Sequence, residues 1–484
     1  MTSLRNQGAS LFFGKTSAFF IQMLTTLIVV RLVSKAEYGF YQQFLLISGS
    51  LVTILGLGLN NSLYYFYPVG TKAERRQLIK QTFVMEVLIG LIFLILFIGF
   101  GLPRLQWFNL ENLSIYRWHI GIYIFLVITG SFIETLFTIE KNIKFNRFFH
   151  PLDKIVRMGL ILAFIFFLQD DIALIYALLT LAGARFIYML VYAREYLYNG
   201  WFSLPLLKNQ LAYALPFGAS IVLRTVSVKI DKFIVNDYVS VNDFALYSVA
   251  FISIPLLSIL FTSINLVVIP QIAVYCKADR LKEAASLWRK TVLKNASIAI
   301  PVVAFSLVMA EEIIEVLYTQ KYLMAVSYFR ILILIFLFSM FSHGFILLGL
   351  KKTRQIFWID LVTTAITVIV GLILIRKYYL FGASVTALVG VALPVLVKTT
   401  LEKYLLKIPW AHLMNWKKIN QLFFTSLMAL ILVVFCKVFI GNSYLSLLTA
   451  GIFYTMSVFY LQKRYELLLF PDFIKTILQQ KTTR

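Results

Sequence analysis

Arg224, Lys229, Asp231 and Lys232 fall within nine positions of an otherwise apolar stretch, LRTVSVKIDKFIV at 223–235. At 100° per residue, Arg224 and Asp231 point within about 20° of each other on a helix. Lys229 and Lys232 widen the arc to about 160° with Thr225 inside it, and Val226, Ile230, Phe233 and Ile234 take the other side. Three cations and one carboxylate on one face make a net-positive surface. Such a surface suits an anion, most naturally a phosphate or pyrophosphate, which Arg can grip with two parallel hydrogen bonds. Each such charge facing hydrocarbon would cost roughly 2.5–3.5 kcal/mol, so the face must meet protein or water. A structural reading stands beside this one. Arg224 and Asp231 could form a locking ion pair, and Lys229, Lys232 and Lys15 could extend their heads to an interface.

Further ionisable residues sit at similar depth in apolar runs. Lys15 forms a polar stripe with Gln22 and Thr26, and Glu86, Glu134, Arg185, Arg330, His343 and Asp360 lie in other runs. Lys15 and Arg185 are candidates to join the cationic group. Asp231, Glu134 and Glu86 are candidates to bind a coupling proton or cation, because a carboxylate's affinity changes as neighbouring cations move. His119, His150, His343 and His412 are scattered, so no metal centre is expected. Cys276 and Cys436 are expected on opposite sides of a membrane and therefore unpaired.

The elements that must position these residues follow from composition. Hydrophobic residues are 60% and charged residues 14% of 484 positions, against about half and about a quarter in a soluble domain. About fourteen apolar runs, near 10–33, 40–66, 82–102, 119–139, 155–168, 172–193, 213–236, 244–274, 291–310, 326–349, 356–375, 381–401, 419–440 and 443–462, approach the roughly 20 residues that span a bilayer. The fold class expected is therefore an all-α polytopic membrane protein. The short connections leave no room for a soluble catalytic or nucleotide-binding domain. Most of the 45 Lys and Arg lie in alternate connections and the tails: 72–80, 141–157, 194–208, 277–294, 351–354, 398–418 and 463–484. Short cytoplasmic loops are rich in Lys and Arg, which places both termini in the cytoplasm and requires an even helix count. The same bias against anionic lipid explains the net charge of +23 without nucleic acid as a partner. MTSLRNQGAS lacks a small-residue cleavage site, so the first helix is expected to be retained.

The chain also resembles itself at an offset of about 206 residues. IVVRLVSKAEYGFYQQF (28–44) lies against IVNDYVSVNDFALYSVA (234–250), with Ile28/Ile234, Val29/Val235, Val33/Val239, Ser34/Ser240 and Tyr41/Tyr247 identical. With one slip, KAER (72–75) meets KADR (277–280). Both basic loops read as cytoplasmic, so the halves share an orientation, as in a parallel repeat about the membrane normal. This predicts an N-terminal six-helix bundle over 1–212, a C-terminal six-helix bundle over 213–405, and two more helices with a cytoplasmic tail over 406–484.

These motifs carry a family resemblance. LPFGASIVLRTVSVKIDKFIVNDYVSVNDFALYSVAFISIPL resembles the seventh and eighth helices of bacterial polysaccharide (O-antigen type) flippases. These belong to the superfamily of multidrug, oligosaccharidyl-lipid and polysaccharide exporters. The Asp231-Lys232 pair and Tyr247-Ser248-Val249-Ala250 match the pattern, with Ala245 where Gly is usual. AEEIIEVLYTQKYLMAVSYFRILIL (310–334) is similar to the ninth-to-tenth connection, but lacks the usual Gly after the aromatic residue. RLVSKAEYGFYQQF at the first outer turn is the third match. The resemblance implies a transporter of the inner membrane that flips a polyprenyl-pyrophosphate-linked oligosaccharide, a polysaccharide repeat unit such as that of O-antigen lipopolysaccharide. It also implies a cationic central cavity, alternating access driven by a proton or sodium with no other cofactor, and contact with membrane lipid. Polysaccharide polymerase and glycosyltransferase machinery would be neighbours. By likeness to lipid II flippases, helices thirteen and fourteen would hold a lipid tail.

Three other classes fit less well. A drug exporter of the same superfamily would favour acidic residues on the first helix, where this chain has Lys15. A polymerase or ligase would need a substantial outer loop, and the longest, 103–118, is short, while QDDI (169–172) is only an acidic pair in a turn. A membrane scaffold would have no use for charges this expensive to bury.

Overall fold

A computed structural model describes residues 4–99, 116–140, 143–168, 172–199, 202–251, 255–341, 343–407, 409 and 414–467. The Lys15 side chain, most of the 103–118 connection, positions 169–171, His412 and the tail beyond 467 lie outside the described residues. The described residues contain helices and no strand. In order they are α1 (Leu4–Leu32), α2 (Lys35–Leu55), α3 (Leu59–Val69), α4 (Lys72–Gly99), α5 (Arg117–Ile139), α6 (Ile143–Leu168), α7 (Ala173–Asn199), α8 (Leu204–Tyr238) and α9 (Val241–Ala250). Then follow α10 (Pro255–Lys277), α11 (Leu281–Val308), α12 (Ala310–Tyr318), a 3₁₀ turn (Gln320–Ala325), α13 (Val326–Leu332), α14 (Ile335–Ser339), α15 (Phe345–Gly349), α16 (Thr353–Leu406), α17 (Trp416–Phe439) and α18 (Ser443–Arg464).

Among the described residues nine helices are long and apolar enough to cross a membrane, and the pair α2–α3, bent by 43°, makes a tenth. Fewer spans than apolar runs result in part because α16 holds two runs in 54 residues. At 1.5 Å per residue that is about 80 Å, far beyond a bilayer. The chain breaks inside it at Tyr379, where φ is 49° and ψ −126°. Other runs are interrupted rather than fused. The stretch 326–349 consists of three short helices, with Gly344 at φ 84° before the last.

The basic segment 141–157, expected as a loop, is helical from Ile143 onward. Its charges raised the apparent polarity of a continuous 26-residue helix. Likewise Lys398, expected in a basic loop, lies within α16 and pairs with Asp360 at 2.6 Å.

The internal repeat has a physical basis in its matched residues. Ser34 caps α2, accepting from the Glu37 amide at 3.2 Å, while the Glu37 carboxylate accepts from the Ser34 amide. Ser240 does the same for α9, accepting from the Asp243 amide at 3.1 Å. Ser34 and Ser240 are thus equivalent helix-start devices, whereas Asp243 accepts from the Ser240 hydroxyl and not from its amide. KAER and KADR are not equivalent. Lys72 opens α4, whereas Lys277 ends α10 and Asp279 turns the chain at φ 56°.

The chain forms two compact units, Met1–Ala245 and Leu246–Arg484. In the first, Phe83, Phe132, Leu136, Phe137 and Met189 form one core across α4, α5 and α7. Gln210 of α8 lies wholly buried there, donating to Ser62 at 2.8 Å and Thr82 at 2.6 Å, and accepting from Gln81 at 2.8 Å. In the second unit, α17 and α18 seal against α11 and α12. Tyr454 donates to Pro301 O at 2.9 Å, Gln462 to Ser297 O at 2.9 Å, and Lys437 meets Glu311 at 3.2 Å and Glu312 at 3.1 Å.

Candidate functional site

The charged stretch lies in the C-terminal half of α8. Ser203 caps this helix, and its length of 35 residues carries it through Pro216 without a break. Gly218 lets α8 approach the α2–α3 break closely, since a Cβ there would sit 2.5 Å from Leu57 O. Along the charged face, exposure changes over two turns. Arg224 is exposed, Lys229 and Lys232 are half-buried, and Asp231 is buried at 3%. Lys229 donates to Ser50 Oγ of α2 at 3.1 Å. Lys232 lies within electrostatic reach of Asp231 and of Lys229. Asp231 therefore has Lys232 beside it, and among the described residues Arg224 forms no ion pair with it or any other acid.

Arg185 sits in a different setting. Its Nε donates to Asp153 Oδ1 at 2.6 Å, a second nitrogen contacts Asp153 Oδ2, and Nη1 lies 3.8 Å from Glu134. This cluster joins α5, α6 and α7, with Lys154 3.5 Å from Asp153. Next to it Arg157 donates to the Tyr41 hydroxyl at 2.7 Å. Sequence reasoning singled out Arg185 and Glu134 but missed Asp153, Lys154 and Arg157. The signal available was the spacing of Asp153 and Arg157 four residues apart, which puts both on one face if the segment is helical.

Glu86 is separate from both groups. It is buried at 1%, and neither carboxylate oxygen has a hydrogen-bond partner of good geometry, although Asn60 is close enough to act on it. It lines a cavity of about 160 Å³ with Thr53, Gly56, Gly58, Asn60, Asn61 and Ser131. The structure thus sorts the sequence candidates into three sets. Arg224, Lys229, Asp231 and Lys232 share α8; Arg185 and Glu134 belong to an ion-pair cluster; Glu86 stands alone in a cavity. Among the described residues no group of three or more His, Cys, Asp or Glu could hold a metal ion.

Comparison with known proteins gives the chain a setting. A family model described as polysaccharide biosynthesis protein matches residues 28–327. No curated protein sequence matches the chain. Among solved structures, the lipid II flippase MurJ in an inward closed conformation superposes with a TM-score of 0.72 at 14% identity, covering 94% of this chain and 98% of that one. A MATE transporter in the straight conformation gives 0.56 at 15% identity, over 84% and 95% of the two chains. A transporter of the MOP superfamily from Pyrococcus furiosus, whose binding pocket is described as reversed in polarity, gives 0.53 at 14% identity over 83% and 95%. At these identities the likeness establishes a MurJ- and MATE-like fold.

Proposed function

Because the chain belongs to the family of polysaccharide biosynthesis proteins, we propose that it is a flippase. It carries a polyprenyl-pyrophosphate-linked oligosaccharide from the cytoplasmic to the outer leaflet of the inner membrane, with no chemical step. The observation that carries this reading is the face of α8, where exposed Arg224 precedes Lys229 and Lys232 on a membrane-length helix. A doubly anionic pyrophosphate is the cargo that such a net-positive face recognises. Arg224 makes the first contact, since no carboxylate has to leave it. Lys229 would exchange the Ser50 hydroxyl for a phosphate oxygen, and Lys15 on α1 adds a further cation. Arg185 would have to trade a carboxylate for phosphate, which ranks it last.

Six helices on each side of the repeat, divided near 212 and near 405, rock about the cationic face in alternating access. A proton or sodium ion taken up by Asp231, Glu134 or Glu86 drives the cycle. Asp231 is suited to sensing the cargo, because a phosphate on Lys232 weakens the lysine's hold on it. The polymerase receives the cargo outside, and the glycosyltransferases deliver it inside.

The test is leaflet sidedness of the lipid-linked oligosaccharide in cells with the protein, without it, and with Arg224→Ala. Substrate held on the inner leaflet in both altered strains is the expected result. Retention only in the deletion strain would remove Arg224 from the pathway but keep flipping. Normal sidedness in all three, in a strain with no redundant flippase, would sink the flippase reading and favour drug export.

A further inference from the structure

The face of α8 that ends in Arg224 begins with aromatic rings. Tyr213, Phe217, Ser220 and Arg224 follow one another at spacings of four, three and four residues, which at 100° per residue puts them within about 60° of one another. All four are exposed, Tyr213 at 39% and Phe217 at 43%. Tyr65 of α3, exposed at 57%, completes the group. Its ring stacks on Tyr213 with centroids 5.0 Å apart and planes 14° from parallel, and Tyr213 lies beside Phe217 at 6.3 Å and 17°. Phe66 meets both tyrosines edge-on and packs into the core of this unit, so the stack is held from behind. The three rings form a fixed shelf.

Polar groups accompany the shelf. Pro216 has no amide hydrogen, so the Ala212 carbonyl loses the partner that an uninterrupted helix ladder would give it. Ser220 donates its hydroxyl proton to Pro216 O at 3.2 Å and presents lone pairs. The two phenol hydroxyls can donate or accept. Aromatic faces beside a few hydrogen-bonding groups suit a pyranose ring. Its C–H face carries partial positive charge toward the negative π cloud, while its hydroxyls need partners at the edge. Tyrosines near a membrane interface commonly form a belt against lipid headgroups. The shared face speaks against that role here, because it continues into Ser220 and exposed Arg224, a cation too costly to turn toward hydrocarbon.

From this geometry we propose that Tyr65, Tyr213 and Phe217 form a saccharide platform, which stacks against sugar rings of the cargo while Arg224 takes its pyrophosphate. The platform deepens the flippase reading and rests on it. At 1.5 Å per residue, Phe217 and Tyr213 lie about 10 Å and about 16 Å from Arg224 along the helix. The rings therefore follow the cation in the order in which sugars follow a pyrophosphate. Stacking reads the face of a ring rather than the pattern of its hydroxyls. The platform thus favours a glycosylated carrier over a bare one and tolerates different sugars.

The experiment is equilibrium binding to the purified full chain in detergent, with two probes. One is the polyprenyl-pyrophosphate-linked oligosaccharide extracted from cells that make this protein; the other is the bare polyprenyl pyrophosphate of the same chain length. Leucine keeps apolar bulk and removes the π face. Phe217→Leu and Tyr213→Leu should each weaken binding of the oligosaccharide carrier about three- to tenfold, the scale of one aromatic contact, with the bare carrier bound as by the wild type. Phe217→Tyr restores a ring and should recover the loss, whereas Arg224→Ala should weaken both probes. Equal losses for both probes in the leucine variants would overturn the platform and make the rings structural. Oligosaccharide binding unmoved by either leucine would also overturn it and return the rings to an interfacial belt. In both of those cases the wild type binds both probes and the flippase reading stands. A wild type that binds neither probe would sink that reading and the platform with it.

Discussion

At the scale of single residues, two arginines of the same type in the same unit have opposite surroundings. Arg185 is bound to Asp153 and faces Glu134, with Asp153 nearly buried. Removing one partner of such a pair strands the other, so Arg185→Ala should cost on the order of 3 kcal/mol. Arg224 is exposed, and Arg224→Ala should change stability by less than about 0.5 kcal/mol while abolishing transport. Thermal unfolding in detergent, read beside leaflet sidedness, checks the contrast; equal losses of Tm would refute it. Thr319 gives a second case. It holds φ 76° and ψ 165°, in a region that essentially only glycine occupies without strain. It stands where the flippase pattern has Gly after the aromatic residue. Glycine is the residue that fits this backbone, so Thr319→Gly should raise stability by about 1–3 kcal/mol. A Tm unchanged or lowered in Thr319→Gly would show the strain to be absent.

At the scale of elements, polar contacts hold helices together where lipid offers no hydrophobic drive. Gln210 ties α3, α4 and α8 through Ser62, Thr82 and Gln81. Gln210→Ala leaves three buried groups short of partners and should cost about 1–3 kcal/mol, seen as a lower midpoint in denaturant. The α17–α18 hairpin is pinned differently, by Lys437 on Glu311 and by Ser443, which donates to Glu315 at 2.6 Å. The Lys437 hydrogen bond and charge hold the Glu311 carboxyl below its ordinary range, and the Ser443 hydroxyl does the same for Glu315. A depressed folded value means this stabilisation is present above the unfolded carboxylate pKa and is lost as pH falls through the folded one. The groups are largely exposed, so screening limits the contribution to about 1 kcal/mol or less. Proteolytic release of the hairpin should therefore accelerate below about pH 4, where these acids gain protons. Lys437→Met should remove the Glu311 part of that pH dependence and Ser443→Ala much of the Glu315 part; a profile that survives both substitutions would point to another group.

For the whole molecule, the distribution of Lys and Arg makes a statement about sides. Single cysteines at exposed Arg76 and Lys282 should react with an impermeant thiol reagent only from the cytoplasm, and one at exposed Lys377 only from outside. The native Cys276 and Cys436 are buried, so they give little background. Labelling of all three from one side would overturn the orientation. The Lys377 result also bears on α16, because labelling there from outside would put the break at Tyr379 at the outer surface and divide its 54 residues into two spans of ordinary length.

The sequence by itself determined the solvent this chain folds in, the helical class, and several helix starts. Apolar runs of bilayer length admit no other regular structure that closes its own hydrogen bonds within one segment. Ser34 and Ser240 were readable as equivalent because a cap acts within three residues of itself. Periodicity also placed Arg224, Lys229, Asp231 and Lys232 on one face. It did not say what faces them: the Ser50 hydroxyl that meets Lys229 is 179 positions away in the chain. Tertiary structure alone decided that Arg185 has two acids, that among the described residues no cation reaches Glu86, and that 143–157 is helix rather than loop. It also decided where apolar runs break inside themselves, at Gly58 and Gly344. The reason is common to all of these. Local pattern fixes which groups share a side of one helix, while pairing and burial depend on which other helix arrives, and that is settled only when distant segments pack.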